Sequence, residues 1–172
     1  GEWDHDEIRD DLRMNNFAFN RTRSVVTISR RHTTLVVRMN PDLALEARVE
    51  AGALTTTGVR GPIRAHVAAG QARLVGFEGP IDIDVAAGGF KGRGRLDHGA
   101  SRIRCDAGSV KLELDRRSSV TIAAEAHLGK VDVLGQRSSG MLNDSANATI
   151  GTGEAGLDIE CNLGSVKVEI DD

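Results

Sequence analysis

The stretches GPIRAHVAAG at residues 61–70 and GPIDIDVAAG at residues 79–88 lie 18 positions apart and share seven of their ten residues. Apolar residues stand at alternate positions within each stretch, which predicts a β-strand with one buried face. The closing glycine suits a corner that needs a positive φ or leaves no room for a Cβ atom. With spacings of 18, 18, 20, 21 and 35 residues, this glycine recurs as Gly52, Gly70, Gly88, Gly108, Gly129 and Gly164. The chain is therefore predicted to be a repeat protein whose units stack around a common core.

Each unit is predicted to contain two strand segments, one on either side of its glycine. Positions two and four residues after the glycine are mostly apolar, as are positions three, five and seven residues before it. These positions are predicted to face inward, because side chains alternate between the two faces of a strand. The fold class that follows is an all-β solenoid whose units are expected to stack in sequence order.

One exposed column of residues supports stacking in register. The residues six positions before the first four glycines alternate in charge, as Glu46, Arg64, Asp82 and Arg102. Neighbouring strands lie about 4.8 Å apart, so like charges in such a column would repel each other. The alternation therefore opposes a slip of one strand against the next.

Composition narrows the function classes. The 172 residues include 40% hydrophobic and 27% charged residues, which suits one folded domain, and the net charge of −3 argues against general nucleic-acid binding. No apolar run approaches the roughly 20 residues that span a bilayer, so no transmembrane segment is expected in this chain. There is no Cys-x-x-Cys, paired histidine, P-loop or nucleophile-elbow pattern, so we expect no metal, cofactor or catalytic residue.

The two cysteines, Cys105 and Cys161, fall in the same inward column. If the unit that carries Ala126 lies between them, their Cα atoms are about 9.6 Å apart, which is beyond disulfide range. They are therefore predicted to be buried free thiols.

The two ends of the chain differ from its middle. Residues 1–40 are predicted to be an N-terminal cap, made of a short helix over Asp4–Met14 and a strand pair from about Val25 to Val37, and residues 41–172 the solenoid repeats. Residues 136–156 are either a loop or a degenerate unit, and their length favours the unit. No C-terminal cap is visible, so the last strand is a candidate assembly edge, with Val166, Val168 and Ile170 as its apolar residues.

One exposed column carries the best candidate site. Three positions after the glycines stand Arg73, Lys91, Lys111, Asp132 and Lys167, with Arg93 on the same strand face as Lys91. This basic face is a candidate docking surface for a phosphate-bearing lipid, an envelope polymer or an acidic partner. The alternative is a solvated face that Glu113 and Glu169 partly neutralise.

Several short motifs carry a family resemblance, among them Gly61-Pro62-Ile63, Gly79-Pro80-Ile81, Ala107-Gly108-Ser109-Val110 and Leu163-Gly164-Ser165-Val166-Lys167-Val168. On these the chain resembles the toast-rack (putative adhesin) family of bacterial β-strand repeat domains. The resemblance implies a right-handed single-stranded β-solenoid, no known catalytic residues, and association with the cell envelope, and the six recurring glycines predict about six rungs. The expected function is thus a noncatalytic bacterial scaffold or binding domain for an envelope component or partner protein. A self-assembling module that stacks end to end into a homo-oligomer and a polysaccharide-acting enzyme remain as alternatives.

Overall fold

The computed structural model describes residues 12–14, 24–30, 33–138 and 143–171, which form an all-β fold without a helix in these ranges. The strands are β1 (Leu12–Met14), β2 (Ser24–Arg30), β3 (Thr33–Met39), β4 (Leu45–Thr57), β5 (Ile63–Phe77), β6 (Ile81–Gly94), β7 (Ala100–Asp115), β8 (Val120–Val133), β9 (Gln136–Ser138), β10 (Asp144–Ile150) and β11 (Ala155–Asp171). They follow one another across a single sheet in the order β10-β8-β11-β7-β6-β5-β4-β2-β3, with β1 also paired to β4 and β9 to β8.

Six long strands, β4, β5, β6, β7, β11 and β8, stack in parallel, and each carries one of the six recurring glycines. These glycines lie side by side with φ angles between 134° and 153°, a region that residues with side chains rarely adopt. Neighbouring strands also lie too close together at these glycines for a side chain to fit, because a Cβ atom on Gly88 would lie 1.7 Å from the carbonyl oxygen of Gly70. The predicted role of the glycines as corners is confirmed.

The core is formed by side chains from both segments of each long strand. The inward positions predicted from the alternation are buried, and they join one hydrophobic cluster that runs along the stack. Where Gly92 contributes no side chain to an inward column, the ring of Phe90 fills the space, so that a Cβ atom on Gly92 would lie 2.8 Å from the ring. Ser101 stands at an otherwise apolar inward position because its Oγ accepts a hydrogen bond from the Ile81 amide at 3.1 Å.

The order of the last units differs from the expectation of sequential stacking. Strand β11 is inserted between β7 and β8, so Gly164 pairs with Gly108 on one side and with Gly129 on the other. The prediction that β8 follows β7 directly is therefore wrong. The final strand of the chain is an interior strand of the stack.

Both ends of the stack are covered by antiparallel strands. At the N-terminal end, β1 pairs with the first segment of β4 and β2 with its second segment, and β3 pairs with β2. The strands β2 and β3 lie where the sequence predicted a strand pair from about Val25 to Val37. Of the predicted helix Asp4–Met14, residues 4–11 lie outside the described residues, whereas Leu12–Met14 form a strand because they pair with Leu45–Ala47.

The other end has a cap that the sequence did not predict. There β10 pairs antiparallel with the first segment of β8, and β9 pairs with its second segment. Within 136–156, the described strands β9 and β10 run antiparallel to the stack, so the residues they contain form neither a loop nor a further parallel unit. The strands β9 and β10 thus form the C-terminal cap, and β11, which follows them in the sequence, lies inside the stack.

Candidate functional site

The basic face becomes continuous in the folded chain. Arg73, Lys91, Lys111 and Lys167, which we call the basic stripe, lie on β5, β6, β7 and β11 and are register partners from each strand to the next. Asp132 lies beyond Lys167 on β8, so it ends the stripe and does not interrupt it. At about 4.8 Å per strand, the four cations span about 14 Å along the stack.

The stripe contrasts with the column of alternating charge on the first segments of the same strands. There the insertion of β11 places Asp158 next to Arg102, so that the order is Glu46, Arg64, Asp82, Arg102, Asp158. Cross-strand pairs of opposite charge stabilise a sheet, and like charges directly opposite each other destabilise it. The basic stripe lacks this alternation, so its cations repel each other where no carboxylate lies between them.

Two of the four cations are partly neutralised by carboxylates on their own strands, and Lys111 Nζ also lies 3.6 Å from Glu169 Oε2 of the neighbouring strand β11. Lys111 Nζ lies 3.0 Å from Glu113 Oε1, and Lys167 Nζ lies 2.6 Å from Glu169 Oε1. The hydrogen bond from Lys167 lowers the pKa of Glu169, and the hydrogen bond to Glu113 raises the pKa of Lys111. Both lysines are exposed enough for solvent to screen these pairs.

The other two cations carry no such partner. Arg73 and Lys91 are exposed, and within the part of the chain that the structure describes neither makes an ion pair. Beside them, Arg93 reaches across β7, where its Nε donates to Asp171 Oδ2 of β11 at 2.7 Å. The positive charge that is available to a ligand is thus concentrated on β5 and β6.

An open depression of about 270 Å³ lies at this end of the stripe. Its walls include the cations Arg73, Lys91, Arg93 and Lys111, with Glu113 as the one carboxylate, and Gly92 contributes only backbone. Among the described residues no group of three or more His, Cys, Asp or Glu is placed to hold a metal ion. The arrangement can attract and hold negatively charged groups, and its lining residues include no nucleophile beside a general base.

The predicted assembly edge is not an edge. Val166 pairs with Val110 on one side and Val131 on the other, and both Val166 and Val168 are buried. Ile170 is 41% exposed, but it also lies on the inserted strand, where it pairs with Leu114. The prediction is wrong because β11 enters the interior of the stack, and the strands that end the stack are capped.

Comparison with known proteins yields little. No protein family model and no curated protein matches the chain. Among solved structures, the chain is similar to a putative cell adhesion protein from Clostridium sporogenes, with 17% identity, a TM-score of 0.42, and 64% of this chain and 56% of that chain covered. Nothing about the ligand of this chain follows from that likeness. None of the described residues forms a helix that is long and apolar enough to cross a membrane.

Proposed function

We propose that the chain is a noncatalytic binding domain whose basic stripe holds a linear polyanion, a polymer of the bacterial cell envelope that carries phosphate or carboxylate groups. The observation that supports this most is the run of four cations on four consecutive strands. Cations without a carboxylate between them repel each other, and a bound polyanion would offset that repulsion by placing negative charge along the stripe.

The width of the stripe favours a line of negative charge over a plane. One neighbouring column is uncharged at the same strands, where it holds Gln71, Gly89, Ser109 and Ser165, and the other carries Glu113 and Glu169 together with Arg93, which is paired to Asp171. An anionic membrane laid on this face would meet the two carboxylates together with the cations. A single polymer chain can lie along the stripe without covering Glu113 and Glu169, so these carboxylates repel it less than they would repel an anionic membrane.

Other features are consistent with a binding domain. The acidic pair that a polysaccharide-acting enzyme would use, Asp82 and Asp84, already lies beside basic side chains in the stack, with Arg64 Nε 3.9 Å from Asp82 and His66 Nδ1 3.4 Å from Asp84. The envelope location and the right-handed single-stranded solenoid of about six rungs belong to the same proposal. They rest on the toast-rack resemblance and, for the number of rungs, on the six recurring glycines.

Binding of inorganic polyphosphate, a plain linear polyanion, tests the proposal. The variant Arg73→Gln/Lys91→Gln removes the two unpaired cations, and Arg64→Gln/Arg102→Gln removes two exposed cations from the alternating column. Both variants change the net charge equally. We expect wild type and the second variant to bind polyphosphate with an affinity that falls with salt, and the first variant to lose at least about tenfold, since two charge contacts contribute about 1 kcal/mol each.

Three outcomes would refute the proposal. Equal losses in the two variants would mean that net charge alone governs binding. Binding to vesicles of phosphatidylglycerol without binding to polyphosphate would identify a planar anionic surface as the ligand. If the protein bound neither polyphosphate nor the vesicles at low salt, an anionic ligand would be ruled out.

A further inference from the structure

The insertion of β11 brings the two cysteines of the chain together. Cys161 on β11 is the register partner of Cys105 on β7, and both side chains are completely buried in the core. The prediction that a unit carrying Ala126 separates them is wrong, because Ala126 lies on the far side of Cys161. The prediction that both cysteines are buried free thiols is confirmed, whereas the predicted separation of the two by one intervening strand is not.

The position of the pair meets the first requirement of a disulfide. Register partners on adjacent strands have Cα atoms about 4.8 Å apart, which lies within the range that disulfides span. Both side chains point to the same buried face, because register partners on neighbouring strands share a face. The Cys161 thiol lies 4.0 Å from the carbonyl oxygen of Gly108.

We propose that Cys105 and Cys161 form a disulfide that locks the inserted strand β11 to β7 when the protein folds in the presence of a disulfide oxidant. The reaction is two successive thiol–disulfide exchanges. One thiolate attacks the oxidant and forms a mixed disulfide, and the second thiolate then attacks the protein sulfur and expels the remaining half of the oxidant as a thiol. The two cysteines lose two protons and two electrons, and the oxidant is reduced to two thiols.

The environment of the pair determines when this reaction can occur. Both sulfurs are completely buried, so the core of the folded protein excludes an oxidant, and the interaction with Cys161 together with burial raises the pKa of Cys105. Oxidation is therefore expected while β11 is entering the stack and not after folding is complete. Compartments outside the cytoplasm supply oxidants of this class.

The bond would tie the strand that is last in the chain to the middle of the stack. It closes a loop that contains β8, β9 and β10, so it restricts the unfolded chain over all three strands. For a loop of this length the entropic model and the usual size scaling correspond to a rise in Tm of about 10 °C.

The test is refolding of reduced, unfolded protein in a buffer of reduced and oxidised glutathione. After refolding, the protein is denatured, alkylated and weighed by mass spectrometry. We expect a monomer that is lighter by two hydrogen atoms, has no alkylated cysteine, and unfolds at a Tm about 10 °C above that of the same protein after reduction. The single variants Cys105→Ala and Cys161→Ala should lack both the mass change and the redox-dependent shift.

The wild-type result alone can overturn the proposal. Two alkylated cysteines after refolding, disulfide-linked dimers in place of the internal bond, or an oxidised monomer with an unchanged or lower Tm would each contradict it. Because this test uses no polyanion, its outcome is independent of the proposed binding function.

Discussion

Replacement of Gly88 by alanine tests the central claim about the stack, which is that the long strands approach too closely at their corners for any side chain. Two effects add. The φ of +134° at Gly88 is strained for alanine and costs about 1–3 kcal/mol, and the new Cβ atom would lie 1.7 Å from the carbonyl oxygen of Gly70. The carbonyl can move only if ladder hydrogen bonds break, at about 1–3 kcal/mol for each group left unsatisfied. We expect Gly88→Ala to lose about 4 kcal/mol or more of unfolding free energy.

Two control glycines separate these effects. Gly135 also has a positive φ, of +81°, but no atom lies within 4 Å of the position that a Cβ atom would take there, so Gly135→Ala should show the backbone strain alone, about 1–3 kcal/mol. Gly156 has neither a strained φ nor a close neighbour, so Gly156→Ala should change stability by less than about 1 kcal/mol.

Urea denaturation followed by circular dichroism gives the midpoint and the m-value of each variant. Failure of Gly88→Ala to fold while both controls fold would agree with the reasoning. A loss for Gly88→Ala within about 1 kcal/mol of that for Gly135→Ala would refute it, since contact with Gly70 would then add nothing measurable.

Three further predictions concern the core and the surface. Ser101→Ala should lose about 1–3 kcal/mol in urea denaturation, because the buried Ile81 amide loses its acceptor; a loss below about 0.5 kcal/mol would contradict this. Phe90→Ala should lose about 3–5 kcal/mol by the same assay, because the ring fills the space that an inward glycine leaves; a loss near 1 kcal/mol would show that the core collapses into it. The hydrogen bond to Asn143, with nearby carboxylates, raises the pKa of His127, so this histidine stabilises the fold fully below its unfolded-state pKa and loses the effect as pH rises through the higher folded-state value. Stability measured across this window should therefore decline less in His127→Gln than in wild type, and identical pH profiles would contradict the assignment.

The sequence predicted which residues form the candidate site, but it did not predict that the four cations of the basic stripe follow one another without interruption. The five basic residues are at exposed or half-buried positions on the expected face, because the alternation along a strand determines which side chains point outward. Their arrangement across strands depends on which strand lies next to which. With β8 beside β7, Asp132 would divide the stripe, whereas with β11 beside β7 it stands at the end.

One signal for the true order was present in the sequence. In the alternating column, stacking in sequence order places Ala123 after Arg102, whereas the observed order places Asp158 there and extends the alternation by one strand. The same insertion puts Glu160 beside Arg104, with 3.7 Å between Oε2 and Nε. In the basic stripe the same criterion favours the other order, with Asp132 between Lys111 and Lys167, so complementary charge alone does not select the order of the strands.

The amino-acid sequence by itself determined the local features of this protein, namely the six long strands, their inward and outward faces, the glycine corners and the strand pair near the N-terminus. These depend on a residue and its near neighbours, so a period of two and a recurring glycine are sufficient to reveal them. Only the tertiary structure decided the position of β11, the C-terminal cap formed by β9 and β10, the contact of Cys105 with Cys161, and the uninterrupted stripe. The physical reason is that the long strands present nearly the same apolar columns to their neighbours, and the entropy of loop closure changes only slowly with loop length. Several stacking orders therefore satisfy the local pattern, and the packing of the whole stack, with both of its ends covered, selects one of them.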